Sequence, residues 1–186
     1  MKEYRISEIR AKTPKGDEAL TLYGVPIVFD NPTIVKDRSG EYTEIIERGA
    51  LDNADLKDTR LLYNHDTGKV PLARTPKTMK LTITDKGLEM RAELANTAEA
   101  RGVYTAVERG DLSGMSFAFK VPEGGDQYDR KTNTRTIRQI EKVYEVSIVP
   151  FPAYPQTSIE ARATIDNMNS EARNQAIIMA NKILMK

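Results

Sequence analysis

A chain of 186 residues carries 28 lysines and arginines against 27 aspartates and glutamates, a net charge of +1, with one histidine and no cysteine. That length supports one well-buried core, and the near-neutral balance supplies no general field for nucleic acid or an anionic membrane, so partners must be chosen by shape. Disulfides, thiolate zinc sites, a cysteine nucleophile and a histidine-rich metal centre are excluded, and no cofactor is expected.

Tyr4, Ile6 and Ile9 predict an opening strand, closed by the breaker Pro14-Lys15-Gly16-Asp17. Residues 18–29 read as a long strand bent at Gly24 and Pro26, because proline cannot donate to a central ladder. Residues 30–42 read as a polar connection, 45–51 as a short helix or turn, and 59–63 as a brief strand running into Asn64-His65-Asp66. Residues 79–84 and 87–94 predict a hairpin around Asp85-Lys86-Gly87. Thr97 is a good N-cap for a helix to about Arg109, with Gly110 at its C′ position.

In Gly114-Met115-Ser116-Phe117-Ala118-Phe119-Lys120-Val121, large apolar residues alternate with small or polar ones, the period of a half-buried strand. Ser116, between Gly114 and Ala118, is expected on an accessible small-residue face. Residues 123–126 form a turn, 127–140 an exposed, mobile polar hairpin, and 141–149 a further alternating strand closed by Pro150, Pro152 and Pro155. There Glu145 and Ser147 are expected to share one face with Val143 and Val149. The tail from about Ser170 is predicted helical, with Ala176, Met179, Ala180, Ile183 and Leu184 on one stripe. Strands without alternating βα units predict a mainly β (α+β) fold, an antiparallel barrel or sandwich with a few helices outside. No apolar run approaches the roughly 20 residues of a membrane span, and Glu3 and Glu8 are unlike a signal peptide. A soluble protein made and used in a cytoplasm is expected, with neither membrane nor nucleic acid as partner.

A serine hydroxyl needs a base to act as a nucleophile at neutral pH, and His65 is the single imidazole. A third group must accept from that imidazole and stabilise its charged form. Asp66, Asp111, Glu141 and Glu145 are the candidates. Asp66 is awkwardly placed to bond its own neighbour's ring, whereas Glu145 lies on a strand too apolar for an unpartnered carboxylate. Gly114-Met115-Ser116-Phe117-Ala118 superficially matches a nucleophile elbow, but that motif needs a strand-to-helix turn and a histidine after the serine. A serine–lysine dyad through Lys120 or Lys142 stays open but would leave His65 idle. The order that survives is His65, Ser116, acid.

Several segments in this order carry a family resemblance: Tyr23-Gly24-Val25-Pro26-Ile27-Val28-Phe29, Ile46-Glu47-Arg48-Gly49-Ala50-Leu51, Leu62-Tyr63-Asn64-His65-Asp66, Lys86-Gly87-Leu88, Ala92-Glu93-Leu94, the run from Arg109 to Phe119, and Glu145-Val146-Ser147-Ile148-Val149-Pro150 with Pro152-Ala153. From about Leu20 to Tyr154 the chain resembles the prohead maturation serine proteases of tailed bacteriophages, distant relatives of the herpesvirus assembly proteases. The resemblance implies a herpesvirus-protease-like antiparallel β-barrel surrounded by helices. It also implies a serine endopeptidase inside the assembling prohead, in the host cytoplasm. Its substrates would be the major capsid protein precursor, through its scaffold segment, and the protease itself.

By that resemblance the family's histidine falls on His65 and its nucleophile on Ser116, while Glu145 replaces the second histidine of the herpesvirus relatives. Those relatives place arginines soon after the third member. Here none follows Glu145 before Arg162, leaving backbone N–H groups of residues 151–156 for the oxyanion. Residues 1–160 would form the protease barrel and 161–186 a helical segment packed on the core or used in a homo-oligomer. The alternatives are a non-catalytic capsid assembly or scaffolding protein of the same fold, and a generic serine esterase.

Overall fold

A computed structural model describes residues 3–11, 20–37 and 40–150. Its elements in chain order are β1 (Glu3–Ala11), β2 (Leu20–Val28), β3 (Thr33–Asp37), β4 (Gly40–Ile46), β5 (Arg60–Tyr63), β6 (Ala73–Arg74), β7 (Met79–Thr84), β8 (Gly87–Leu94), α1 (Ala98–Arg109), β9 (Gly114–Lys120), β10 (Asp126–Asp129), β11 (Thr134–Ile137) and β12 (Lys142–Val149). Eight strands form a sheet in the order β6-β5-β12-β9-β1-β2-β8-β7, and four form a second, β10-β11-β4-β3. The larger sheet changes partner within β1, which pairs with β9 through residues 3–8 and with β2 through residues 9–11.

The mainly β expectation is met, with α1 the one helix among the described residues. The expected barrel is not: the ladder ends at β6 on one side and β7 on the other and closes no ring among those residues. β6 has two residues, both paired with β5, and offers too little edge to seal a ring. Thr78 N–H does reach back to Arg74 O (3.0 Å), so the terminal strands are linked by a tight connection rather than a ladder.

The core is organised on β9. Met115, Phe117 and Phe119 share one face at period 2, and the two rings stack with centroids 5.0 Å apart. They join Leu22, Ile27, Leu88, Met90, Val146 and Ile148 in one buried cluster, each full burial of such a side chain contributing about 1.5–3 kcal/mol. Helix α1 follows its sequence signals. Thr97 Oγ1 accepts from Ala100 N–H (3.3 Å), Gly110 takes the left-handed C′ conformation, and Ala100, Val103, Tyr104 and Val107 are buried.

Two expectations are corrected. Residues 30–42 are not a connection, since they hold β3 and the start of β4, paired antiparallel from Thr33↔Glu44 to Asp37↔Gly40. The hairpin expected to be exposed and mobile at 127–140 is exposed along β10 but anchored, because β11 pairs parallel with β4. There Arg135 bonds both the buried Glu44 (3.1 Å) and Asp126 (2.6 Å), and Ile137 and Ile140 enter the main core. The predicted helix from Ser170 and the whole 161–186 segment lie outside the described residues.

Gly87 in the 79–94 hairpin and Gly102 in α1 supply a stability test of two signs. Gly87 has φ +152°, and a Cβ there would stand 1.9 Å from the Ile27 carbonyl oxygen. Gly87→Ala is therefore expected to cost about 2–4 kcal/mol, lowering Tm by about 5–15 °C for a domain of this size. Gly102 is exposed on α1, and a Cβ added there would meet nothing within 4 Å. Gly102→Ala should raise stability by about 0.5–1 kcal/mol. Thermal unfolding followed by circular dichroism checks both, and equal effects at the two positions would refute the steric account.

Candidate active site

The candidate residues stand on neighbouring strands, His65 just past the end of β5, Glu145 on β12 and Ser116 on β9, and a hydrogen bond joins His65 to Glu145. β12 pairs parallel with β5, Ser147 opposite Leu62, and antiparallel with β9, Ser147 opposite Ser116 and Glu145 opposite Ala118. Residues directly opposite one another point to the same side of a sheet. Ser116, Ala118, Glu145 and Ser147 therefore share one face, while Phe117, Val146, Met115 and Ile148 share the other.

Strict alternation along β12 would put Val143 with Glu145, as the sequence suggested, but the register corrects this. Val143 pairs with Phe119 and Glu145 with Ala118, so Tyr144 is an extra residue, a β-bulge. The bulge turns Val143 into the apolar core and leaves Glu145 and Ser147 on the serine face. One inserted residue lets a single strand supply core on one side and polar groups on the other.

His65 stands just past the end of β5, in a turn closed by Asp66 N–H donating to Tyr63 O (3.1 Å). Asn64 and His65 have φ of +51° and +58°, a conformation costly for residues other than glycine and held only where surroundings enforce it. Three consecutive N–H groups hold this turn. Asn64 donates to Ile148 O (2.9 Å), His65 to Ser147 Oγ (3.3 Å), and Asp66 to Tyr63 O. The turn is thus fastened to β12 at Ser147 and Ile148.

From this position His65 Nδ1 lies 2.7 Å from Glu145 Oε1. An ionised carboxylate only accepts, so Nδ1 carries the proton in that bond. The carboxylate's other oxygen, Oε2, accepts from the Ser147 hydroxyl. Glu145 is 6 % exposed and Ser147 fully buried, so both carboxylate oxygens are satisfied where water is scarce, as a buried charge requires.

The remaining acids are engaged elsewhere. Asp66 accepts from Gly68 N–H (2.9 Å) in its own loop, Asp111 pairs with Arg109 (3.2 Å), and Glu141 pairs with Lys120 (2.8 Å). The lysines of the dyad scheme are ill suited to it. The hydrogen bond to Glu141 raises Lys120 above its usual range, and the hydrogen bond to Asp55 (2.6 Å) does the same for Lys142. A lysine base needs the opposite shift.

Ser116 departs from expectation in one respect, being 2 % exposed rather than on an accessible face. β9 is an interior strand between β1 and β12, and small side chains let neighbouring structure approach closely. Ser147 was not among the sequence candidates, although its spacing of two from Glu145 places it on the same face. Residues 151–156, expected to bind the oxyanion, lie outside the described residues. Among the described residues no cluster of three or more metal-ligating side chains occurs, and no helix is long and apolar enough to cross a membrane.

The model of the caudovirus prohead serine protease family matches residues 7–171 of the chain. This chain belongs to that family. It is 29 % identical over 147 residues to the prohead protease of Enterobacteria phage HK97, an alignment covering 77 % of this chain and 63 % of that protein, so the chain spans under two thirds of that relative's length. Among solved structures it is similar to the capsid assembly protease of bacteriophage T4, with a TM-score of 0.47 and 9 % identity over 81 % of this chain and 99 % of that one. The family match begins within β1 and runs past β12, so Ser116, His65 and Glu145 all fall inside it.

Proposed function

We propose that this protein is a serine endopeptidase of phage prohead maturation, with Ser116 as nucleophile, His65 as base and Glu145 as the acid that orients it. The observation that carries this reading is the 2.7 Å bond from His65 Nδ1 to Glu145 Oε1, on the sheet face that also bears Ser116. With Nδ1 donating to Glu145, the neutral imidazole presents Nε2 as its basic nitrogen.

His65 Nε2 removes the Ser116 hydroxyl proton as Oγ attacks the carbonyl carbon of a peptide bond. The tetrahedral intermediate collapses when the imidazolium returns that proton to the departing amine, leaving an acyl-enzyme. Water, deprotonated by the same nitrogen, then attacks the acyl carbon, and as the bond to Oγ breaks the imidazolium returns the proton to Ser116, releasing the carboxylic acid. Glu145 holds the ring and stabilises its charged form in both halves.

The substrates on this reading are the major capsid protein precursor, through its scaffold segment, and the protease itself, inside the assembling prohead in the host cytoplasm. The protease unit is residues 1–160, with a herpesvirus-protease-like arrangement of strands, and residues 161–186 serve packing or homo-oligomer formation.

A fluorophosphonate tests the nucleophile, since an activated serine Oγ displaces its fluoride and stays bound. Mass spectrometry of the digested adduct should find Ser116 labelled alone, and His65→Ala should abolish labelling. Labelling at Ser113, or undiminished labelling without His65, would overturn the assignment.

A further inference from the structure

We propose that Ser147 is a positioning residue of the triad, a fourth member that sets the proton arrangement of His65 through Glu145. The role rests on the triad reading above. Ser147 touches neither substrate nor the reacting atoms, and its hydroxyl works in two directions at once. It donates to Glu145 Oε2 and accepts from the His65 backbone N–H at 3.3 Å.

Those two bonds join the parts of the site that need support. A carboxylate that receives one hydrogen bond from an imidazole can rotate about its terminal torsion, which is broad and two-fold. A second donor on the other oxygen fixes the plane, so that Oε1 stays directed at Nδ1. The His65 backbone, meanwhile, has a φ of +58° beside Asn64 at +51°, and such a conformation persists only when surrounding groups over-determine it. The Ser147 oxygen is one of those groups.

Fully buried on β12 and opposite Ser116 in the register, Ser147 is also the residue through which the nucleophile strand, the acid and the histidine turn share a common reference. An alanine there would meet all packing needs of a small buried position. What the hydroxyl adds is a donor aimed at one functional carboxylate and an acceptor aimed at one functional turn.

The single histidine makes this measurable without turnover. In a Ser116→Ala background, ¹⁵N-histidine labelling yields one imidazole, and its neutral form should show Nδ1 protonated and Nε2 unprotonated. Adding Ser147→Ala should move that pattern toward a mixture of tautomers while circular dichroism stays unchanged. With Ser116 present, Ser147→Ala should lower kcat about 10- to 100-fold, the size of losing one hydrogen bond to a charged group, with KM little altered. Ser113→Ala, at an exposed residue before β9, should leave both measurements as they were.

An unchanged tautomer pattern together with kcat within two-fold of wild type would overturn the positioning role and leave the triad standing. Retained cleavage in Ser116→Ala would overturn the triad itself, and this role with it. The tautomer measurement and the cleavage measurement are independent, so the two failures are told apart.

Discussion

Ser116→Ala should abolish cleavage of a co-expressed capsid precursor while the protein still folds. The substitution removes one oxygen from a buried, small-residue face and leaves the pairing of β9 with β1 and β12 in place, because that pairing is made by backbone groups. Loss of a triad nucleophile costs on the order of 10⁶ in kcat, the remaining catalysis coming from binding and oxyanion stabilisation alone. On a gel, wild type should yield processed capsid protein and Ser116→Ala only precursor.

The neighbouring serine is the internal control. Ser113 is exposed, and its carbonyl, rather than its hydroxyl, holds the Ile9 N–H at 3.1 Å, so Ser113→Ala should process normally. His65→Ala should be as inactive as Ser116→Ala. Lys120→Met and Lys142→Met should retain turnover, since each lysine is held in an ion pair outside the site. Processing by Ser116→Ala with none by Ser113→Ala would move the nucleophile to the turn before β9.

The features legible in the sequence are those whose signals are local. The 79–94 hairpin and α1 are announced by alternation, a turn and caps within a few residues, and the structure places them where expected. β9 and β12 were legible as strands because their apolar residues recur at period 2. Alternation puts Val143 on the wrong side of β12, because the Tyr144 bulge breaks that period and nothing in the composition marks it.

Pairing between distant segments left no such trace. The parallel contacts of β12 with β5 and of β11 with β4 are long-range choices made by packing. The depth of Ser116 follows from strand order, which alternation does not encode. The His65–Glu145 contact was reachable by a different argument, that a carboxylate on an apolar strand needs a partner. Ser147 was within reach of the same argument one step further on, since the carboxylate has two oxygens and a hydroxyl stands two residues away.

Glu145→Gln should retain the fold and lose about 10⁴ in kcat, the effect of exchanging a triad acid for its amide. Two donors, the His65 Nδ1–H and the Ser147 hydroxyl, converge on the two oxygens of Glu145, and an amide has one oxygen to offer them. With that oxygen toward Ser147, the amide NH₂ faces His65 and drives the proton to Nε2, leaving the nitrogen that deprotonates Ser116 in the proposed mechanism already occupied. With the oxygen toward His65, the ring keeps its tautomer, but the NH₂ displaces Ser147 as a donor and no negative charge remains to stabilise imidazolium. Either orientation disables the base, so the loss should appear in kcat with KM nearly constant. Glu141→Gln is the control on the same strand approach. Its carboxylate pairs with Lys120 at the surface, where water and salt screen such pairs and leave them little net worth, and its turnover should stay close to wild type. Asp66→Asn and Asp111→Asn should behave likewise, since those carboxylates serve Gly68 and Arg109. Should Glu145→Gln keep most of its wild-type kcat while Asp66→Asn or Asp111→Asn collapses, the orienting acid is the collapsing residue, and the 2.7 Å bond from His65 to Glu145 is structural only.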